Sequence, residues 1–213
     1  MTTLHRIMLD PHHPTVREHV TRPHRFYGTL MAATDGSGHG VGGDSRVLFR
    51  IERGDDAKSR VHVLVQTNGP ISKPDVFTQY GDFELSSKPM LPAIQFLELD
   101  RVIRFSVRVN PVARKTINKP DGLKRISYRI ITGEEPVTDW FRHLAQGRGL
   151  EILDCVSTSE KSISGKTGND SVNLYRIEGI AKIVDQQKAK DVLKNGIGRA
   201  KIFGCGLLTI AAA

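Results

Sequence analysis

The chain has 213 residues and a formal net charge of +8, a length that builds a sizeable core in one large or two small domains and a charge that favours an anionic partner such as nucleic acid. No apolar run approaches the roughly 20 residues that span a bilayer, no basic amphipathic helix offers itself to a membrane surface, and Met1-Thr2-Thr3-Leu4-His5-Arg6 lacks the features of a secretory signal, so no membrane is expected and the cytoplasm is the expected compartment. Cys155 and Cys205 form no Cys-x-x-Cys pair, which argues against a disulfide framework or a zinc ribbon and predicts two small buried thiols.

Residues 4–9 alternate as an opening strand, closed by Asp10-Pro11. Val16, Val20, Phe26, Leu30 and Met31 follow at helical spacing interrupted by Pro23, which predicts a helix starting cleanly at that proline. Residues 35–44 are too glycine-rich for anything but a loop. Residues 46–52 and 60–66 read as two antiparallel strands. The proline-bearing stretch 69–92 reads as irregular structure with a short strand near 83–85, closing a first domain near Pro92.

The chain restarts at residues 101–110, whose alternation puts Arg104, Ser106 and Arg108 on one face and apolar residues on the other. Residues 111–125 add Arg114, Lys115, Lys119, Lys124 and Arg125, and 127–131 resume as a strand, giving a long basic hairpin that is either an anion-binding surface or simply a charged sheet edge. Residues 137–146, with Trp140, Phe141 and Leu144, form an amphipathic helix, Trp140 being placed in the core. Strands at 150–156 and 174–183 flank a polar segment carrying Lys161, Gly165, Lys166 and Gly168. A helix over 185–195 and a last strand at 205–211 complete the order strand, helix, strand, strand, helix, strand, which is the ferredoxin-like arrangement. The first half repeats much of it with a weaker second helix. The expected fold is therefore α+β, two tandem ferredoxin-like domains at 1–93 and 94–213.

Between the last helix and strand, Gly196, Gly198, Gly204 and Gly206 surround Arg199 and Lys201. The order is helix to strand, so this is neither a Walker loop nor a dinucleotide fingerprint. Glycines that permit positive φ, with exposed amides and two cations, suit a phosphate backbone, and they also suit a plain tight turn. The histidines offer no metal site: His12 and His13 are adjacent, and no His-Glu-x-x-His or carboxylate cluster accompanies them. His5, His19, His39 and His143 read as surface residues, and His62 sits on a strand beside apolar neighbours.

The string Gly-x-Gly-x-x-Lys-x-x-Gly-x-Gly-Leu-Leu from Gly196 to Leu208 resembles the glycine-rich loop of the CasE subunit of the type I-E CRISPR Cascade complex. Further resemblance lies in Phe105-Ser-Val-Arg-Val-Asn110-Pro111, in Asp139-Trp140, in residues 175–185 with their Val-Asp step, in Asp10-Pro11, in the helix from Pro23 to Met31 and in Val63-Leu-Val-Gln66. The resemblance implies tandem RRM-like (RAMP-type) domains and a metal-independent, cofactor-free endoribonuclease. Such a protein binds the hairpin of CRISPR repeat RNA, cuts at its 3′ base and stays bound beside other Cascade subunits. The implied chemistry is attack of a ribose 2′-OH on the adjacent phosphate, leaving a 2′,3′-cyclic phosphate and a 5′-OH. Where the family commonly shows Tyr-x-x-His-x-x-Leu, this chain reads His24-Arg25-Phe26-Tyr27-Gly28-Thr29-Leu30, a transposed pair expected to weaken activity. His24 and Tyr27 are thus the candidate catalytic residues. Arg25, Arg108, Arg114, Lys115, Lys124, Arg125, Lys161, Lys166, Gly196, Gly198, Arg199, Lys201, Gly204 and Gly206 are the candidate RNA-binding residues. Two alternatives stand beside this reading: a weak or inactive hairpin-binding structural subunit of the same complex, and a tandem ferredoxin-like protein for another nucleic acid.

Overall fold

The computed structural model describes residues 1–34, 47–52, 60–118, 124–164 and 171–213. The expected loop at 35–44, Lys119, Lys166, Gly165, Gly168 and His39 lie outside the described residues, and of Lys115, Lys124 and Arg125 only the backbone is described.

The first sheet is built from β1 (Thr2–Leu9), β2 (Leu48–Glu52), β3 (Val61–Asn68) and β4 (Phe83–Pro89), antiparallel in the order β2-β3-β1-β4. In β1, His5, Ile7 and Leu9 point inward, and two helices cover that face. α1 (Pro14–Thr21) and α2 (Pro23–Ala33) are separate because Arg22, at φ −127° and ψ 68°, leaves the helical region. Steric conflict with the ring of the following proline produces that break, and Pro23 is then well placed at the first position of the next helix. A 3₁₀ turn, Pro74–Tyr80, takes the place of a second crossover helix and buries Phe77 and Tyr80 with Phe26, Leu30, Phe49 and Val63. β4 runs four residues beyond the short strand expected there, held by its ladder with β1. A short helix, α3 (Leu91–Phe96), follows it.

The second sheet contains β5 (Val102–Val109), β8 (Leu150–Ser164), β9 (Ser171–Ile183) and β10 (Leu208–Ala212) in the order β10-β5-β9-β8, again antiparallel. Numbered within each half, both sheets have the spatial order 4-1-3-2, so the fold is two ferredoxin-like units in tandem. α4 (Glu134–Gln146) and α5 (Gln186–Asn195) pack on one face around Phe105, Phe141, Ile177 and Leu193, with Trp140 partly buried against that core. The Asp185 carboxylate caps α5 by accepting from the Lys188 amide at 3.0 Å, which satisfies one of the donors a helix start leaves open. The hairpin β6 (Val112–Asn118) and β7 (Lys124–Ile130) stands apart as its own two-stranded sheet.

The polar segment after residue 156, read as extended, is strand up to Ser164, continuing β8. Its Ser/Thr/Lys run has no apolar alternation to announce a strand, and pairing with β9, interrupted by register shifts at Ile152/Asp154 and Glu160/Ile163, supplies the order. Among the described residues no helix is long and apolar enough to cross a membrane.

Candidate functional site

α2 buries Phe26, Leu30 and Met31 in the first core, which leaves His24 and Tyr27 together on its flank, three residues apart and neighbours in space. The His24 ring meets Phe203 edge-on at 5.9 Å, and Tyr27 lies 6.2 Å from Phe49 of β2. Phe203 belongs to a 3₁₀ turn, Lys201–Phe203, in the middle of the glycine loop. Gly204 seats on Phe49 as well, since a Cβ there would lie 3.4 Å from that ring. The candidate helix and the candidate loop thus share an aromatic floor, Phe49 and Phe203, that sequence reasoning missed. Its signal was weak: single aromatics in a strand and a loop read as ordinary packing.

The loop's shape comes from five left-handed residues, Gly196, Gly198, Ala200, Gly204 and Gly206. Ile197 N donates to Gly206 O at 2.9 Å and Gly206 N to Arg108 O at 2.8 Å, closing the loop's base. A Cβ on Gly196 would lie 2.7 Å from Gly206 O, and one on Gly206 2.8 Å from Ile197 O. These two glycines therefore serve the fold. Gly198, at φ 80°, has nothing within 4 Å of where a Cβ would stand, so it faces open space at the loop's outward turn. Lys201 Nζ donates to Asn195 O at 2.6 Å. The Arg199 guanidinium stacks 4.0 Å over the ring of Tyr128 on β7, which ties the loop to the basic hairpin. Tyr128 stands opposite Arg114, and its phenol is pulled below the ordinary tyrosine range chiefly by a hydrogen bond from Arg199.

The remaining cations divide. Arg25 is ion-paired with Glu18 of α1, which also holds Arg22 at 3.5 Å. Arg108 does not lie on an exposed cationic surface: it is only 9% exposed, and its Nε sits 2.6 Å from Glu160 Oε2. Arg50 of the first half donates to Ser106 O on the same stretch of β5 at 3.0 Å, so this end of its polar face meets the first half rather than solvent. Arg176 bridges Glu160 at 2.9 Å and Glu52 at 3.5 Å, and Arg50 pairs with Glu52 at 2.7 Å. Burial would raise the Glu52 carboxyl, but Arg50 and then Arg176 hold it below the usual range. Lys161 is exposed and lines a pocket of about 280 Å³ that opens beside Pro23, with Arg108, Glu160 and Arg176 on its polar side. Lys161 is therefore brought to the start of α2.

Two histidines expected at the surface are interior. His5 is 1% exposed, with Nδ1 2.7 Å from Ser87 Oγ and Nε2 2.8 Å from Thr67 Oγ1, and His19 lies 2.9 Å from the Tyr80 hydroxyl. Burial lowers both pKa values. His143 is exposed as expected, and the two thiols are buried, with Cys205 pushed up to about 12 by desolvation. Among the described residues no group of three or more His, Cys, Asp and Glu side chains is placed to hold a metal ion.

Two ferredoxin-like sheets in tandem, a basic hairpin tied to a glycine loop through Arg199 and Tyr128, and a helix whose His24 ring meets that loop at Phe203 define the architecture of the chain. The chain belongs to the CRISPR associated protein family, whose model matches residues 3–212. Over 217 residues it is 28% identical to the CRISPR-associated endoribonuclease Cse3 of Thermus thermophilus, covering 98% of this chain and 99% of that one. It is 27% identical over 120 residues to the Cascade subunit CasE of Escherichia coli, covering 54% and 60%. Among solved structures, Thermus thermophilus Cse3 bound to an RNA representing a pre-cleavage complex superposes with a TM-score of 0.79 at 21% identity, over 99% and 98% of the chains. Cas6e of Escherichia coli superposes with a TM-score of 0.69 at 20% identity, over 99% and 100%.

Proposed function

We propose that this protein is a metal-independent, cytoplasmic endoribonuclease that binds the hairpin of CRISPR repeat RNA, cleaves at its 3′ base and remains on the product as a Cascade subunit. The observation that carries this reading is the meeting of α2 with the glycine loop through His24 and Phe203, in a chain that matches an endoribonuclease relative end to end. In this reading the two working halves are residues 1–93, with the catalytic helix, and 94–213, with the hairpins and glycine loop.

His24 takes the 2′ proton as the 2′-oxygen attacks phosphorus. The Tyr27 hydroxyl donates toward the phosphate or toward the 5′-oxygen that leaves as the P–O5′ bond breaks. Lys161 and the outward turn at Gly198 and Arg199 offset the charge that builds on the phosphorane. The stem lies along the β6–β7 hairpin, where Arg114, Lys115, Lys124 and Arg125 meet its phosphates. Incubating repeat hairpin RNA with the protein in chelator tests the proposal. The expected outcome is slow cleavage giving a 2′,3′-cyclic phosphate and a 5′-OH. Hairpin binding without any cleavage would instead favour a structural subunit, the reading that the transposed His24 and Tyr27 support.

A further inference from the structure

The pocket beside Pro23 is set between the halves. Val20, Pro23 and Ile51 form its wall from the first half, and Ile163 and Leu174 its wall from the second. Ile163 and Leu174 also belong to the small apolar cluster that includes Phe203, the residue on which the His24 ring rests. Pocket and imidazole therefore share one apolar support. At about 280 Å³ the pocket is at the small end of ligand-sized cavities, which run from about 300 Å³ upward. That size suits one nucleoside and excludes a duplex.

Its chemistry is that of a base receptor. Aliphatic walls on two sides accept the faces of a flat ring. The Glu160 carboxylate is fixed by Arg108 on Oε2 and by Arg176 on Oε1, which aims an oriented acceptor at N–H donors on a base edge. Lys161 at the exposed rim meets the accompanying phosphate. We infer that this pocket holds the first nucleotide downstream of the cut, unstacked from the foot of the hairpin. This inference rests on the endoribonuclease reading and deepens it. An unpaired nucleotide at a stem's end costs little to unstack, and seating it would draw the scissile phosphate across the start of α2. After cleavage that nucleotide belongs to the other product, so the pocket discriminates substrate from retained hairpin.

The test uses two hairpins with a 2′-deoxy sugar at the cut, so that neither is cleaved. One ends at the cut and the other carries one further nucleotide bearing 2-aminopurine. The unaltered protein is expected to bind the extended hairpin about tenfold more tightly, in keeping with burying part of one base between aliphatic walls, and the 2-aminopurine fluorescence should rise on binding. Val20→Phe, which fills the pocket from the end of α1, should remove both effects while leaving affinity for the shorter hairpin unchanged. Equal affinities and unchanged fluorescence, with hairpin binding intact, would overturn the inference and leave the proposed function standing. Undiminished preference in a folded Val20→Phe protein would overturn it too. Failure to bind either hairpin would remove the function and this inference together. If Val20→Phe does not fold, the comparison with unaltered protein decides alone.

Discussion

At the scale of single residues, the proposed catalysis rests on two side chains that share a helix flank and differ in what they can do with a proton. Of the two residue types, the imidazole is the one able to act as both base and acid, whereas a phenol mainly donates. His24→Ala is expected to abolish cleavage, measured as single-turnover rate on hairpin RNA in chelator. Tyr27→Phe, which keeps the ring on Phe49 and removes the hydroxyl, should slow it by about tenfold or more. Tyr27→His should be faster than the unaltered protein. Robust cleavage by His24→Ala would remove His24 from the mechanism. The buried histidines make a separate prediction about stability. Burial lowers the folded pKa values of His5 and His19, so the unfolded chain binds more protons wherever the pH lies below about 6.5 and above the folded values. Their contribution is fully present above about 6.5 and is lost as pH falls from there. The thermal midpoint should drop between about pH 7 and pH 5, and His5→Asn with His19→Asn should flatten that slope. His5 was legible in principle: in a period-two strand it shares the phase of Ile7 and Leu9. Its polar type, with Arg6 beside it, obscured that phase. His19 could not be placed from sequence, because its partner Tyr80 is 61 residues away.

Among the elements, the glycine loop separates fold from function within a few residues. Gly206 has the Ile197 carbonyl where a side chain would go, whereas Gly198 has open space and only its φ of 80° to resist substitution. Gly206→Val is expected to disrupt folding. Gly198→Val, which pays left-handed strain of roughly 1–2 kcal/mol, should lower the thermal midpoint modestly and RNA affinity by a larger factor, as read by filter binding and thermal unfolding of the same preparation. Parallel losses would mean that the loop is no more than a turn. The strands, α4, α5 and the glycine loop were readable because periodicity and capping residues act locally. The far half of β8 was readable as extended chain but not as part of the sheet. Its order comes from pairing with β9, and nothing in Ser-Thr-Ser-Glu-Lys-Ser-Ile-Ser encodes a buried face. Tyr128 was missed for a similar reason, since only the folded hairpin sets its ring under Arg199.

In the whole molecule, the relation between the two halves is set by charges that look dispensable in the sequence. β2 is buried on both faces: Phe49 and Ile51 enter the first core, while Arg50, 3% exposed, turns toward the second half. There it donates through Nη1 to Ser106 O at 3.0 Å and through Nη2 to Thr209 Oγ1 at 3.1 Å, and it is also paired with Glu52. The ladder then continues through Arg176 and Glu160 to Arg108, beside the pocket at the start of α2. A lysine offers one charged point where Arg50 uses a planar fork, so Arg50→Lys should be distinctly less stable than the unaltered protein. Arg50→Ala, which strands Glu52 and the acceptors across the interface, should cost about 3 kcal/mol or more. The pH dependence identifies the mechanism. The folded Glu52 carboxyl is depressed, so its contribution is present above its ordinary range near 4.5 and is lost as pH falls through the lowered folded value. Glu52→Gln should remove that part of the acid destabilisation, and in a double-mutant cycle Arg50→Ala should cost less in the Glu52→Gln background than alone. Additive losses in unfolding free energy would show that the two side chains act separately, and the ladder would then not be what sets the α2 site against the second half.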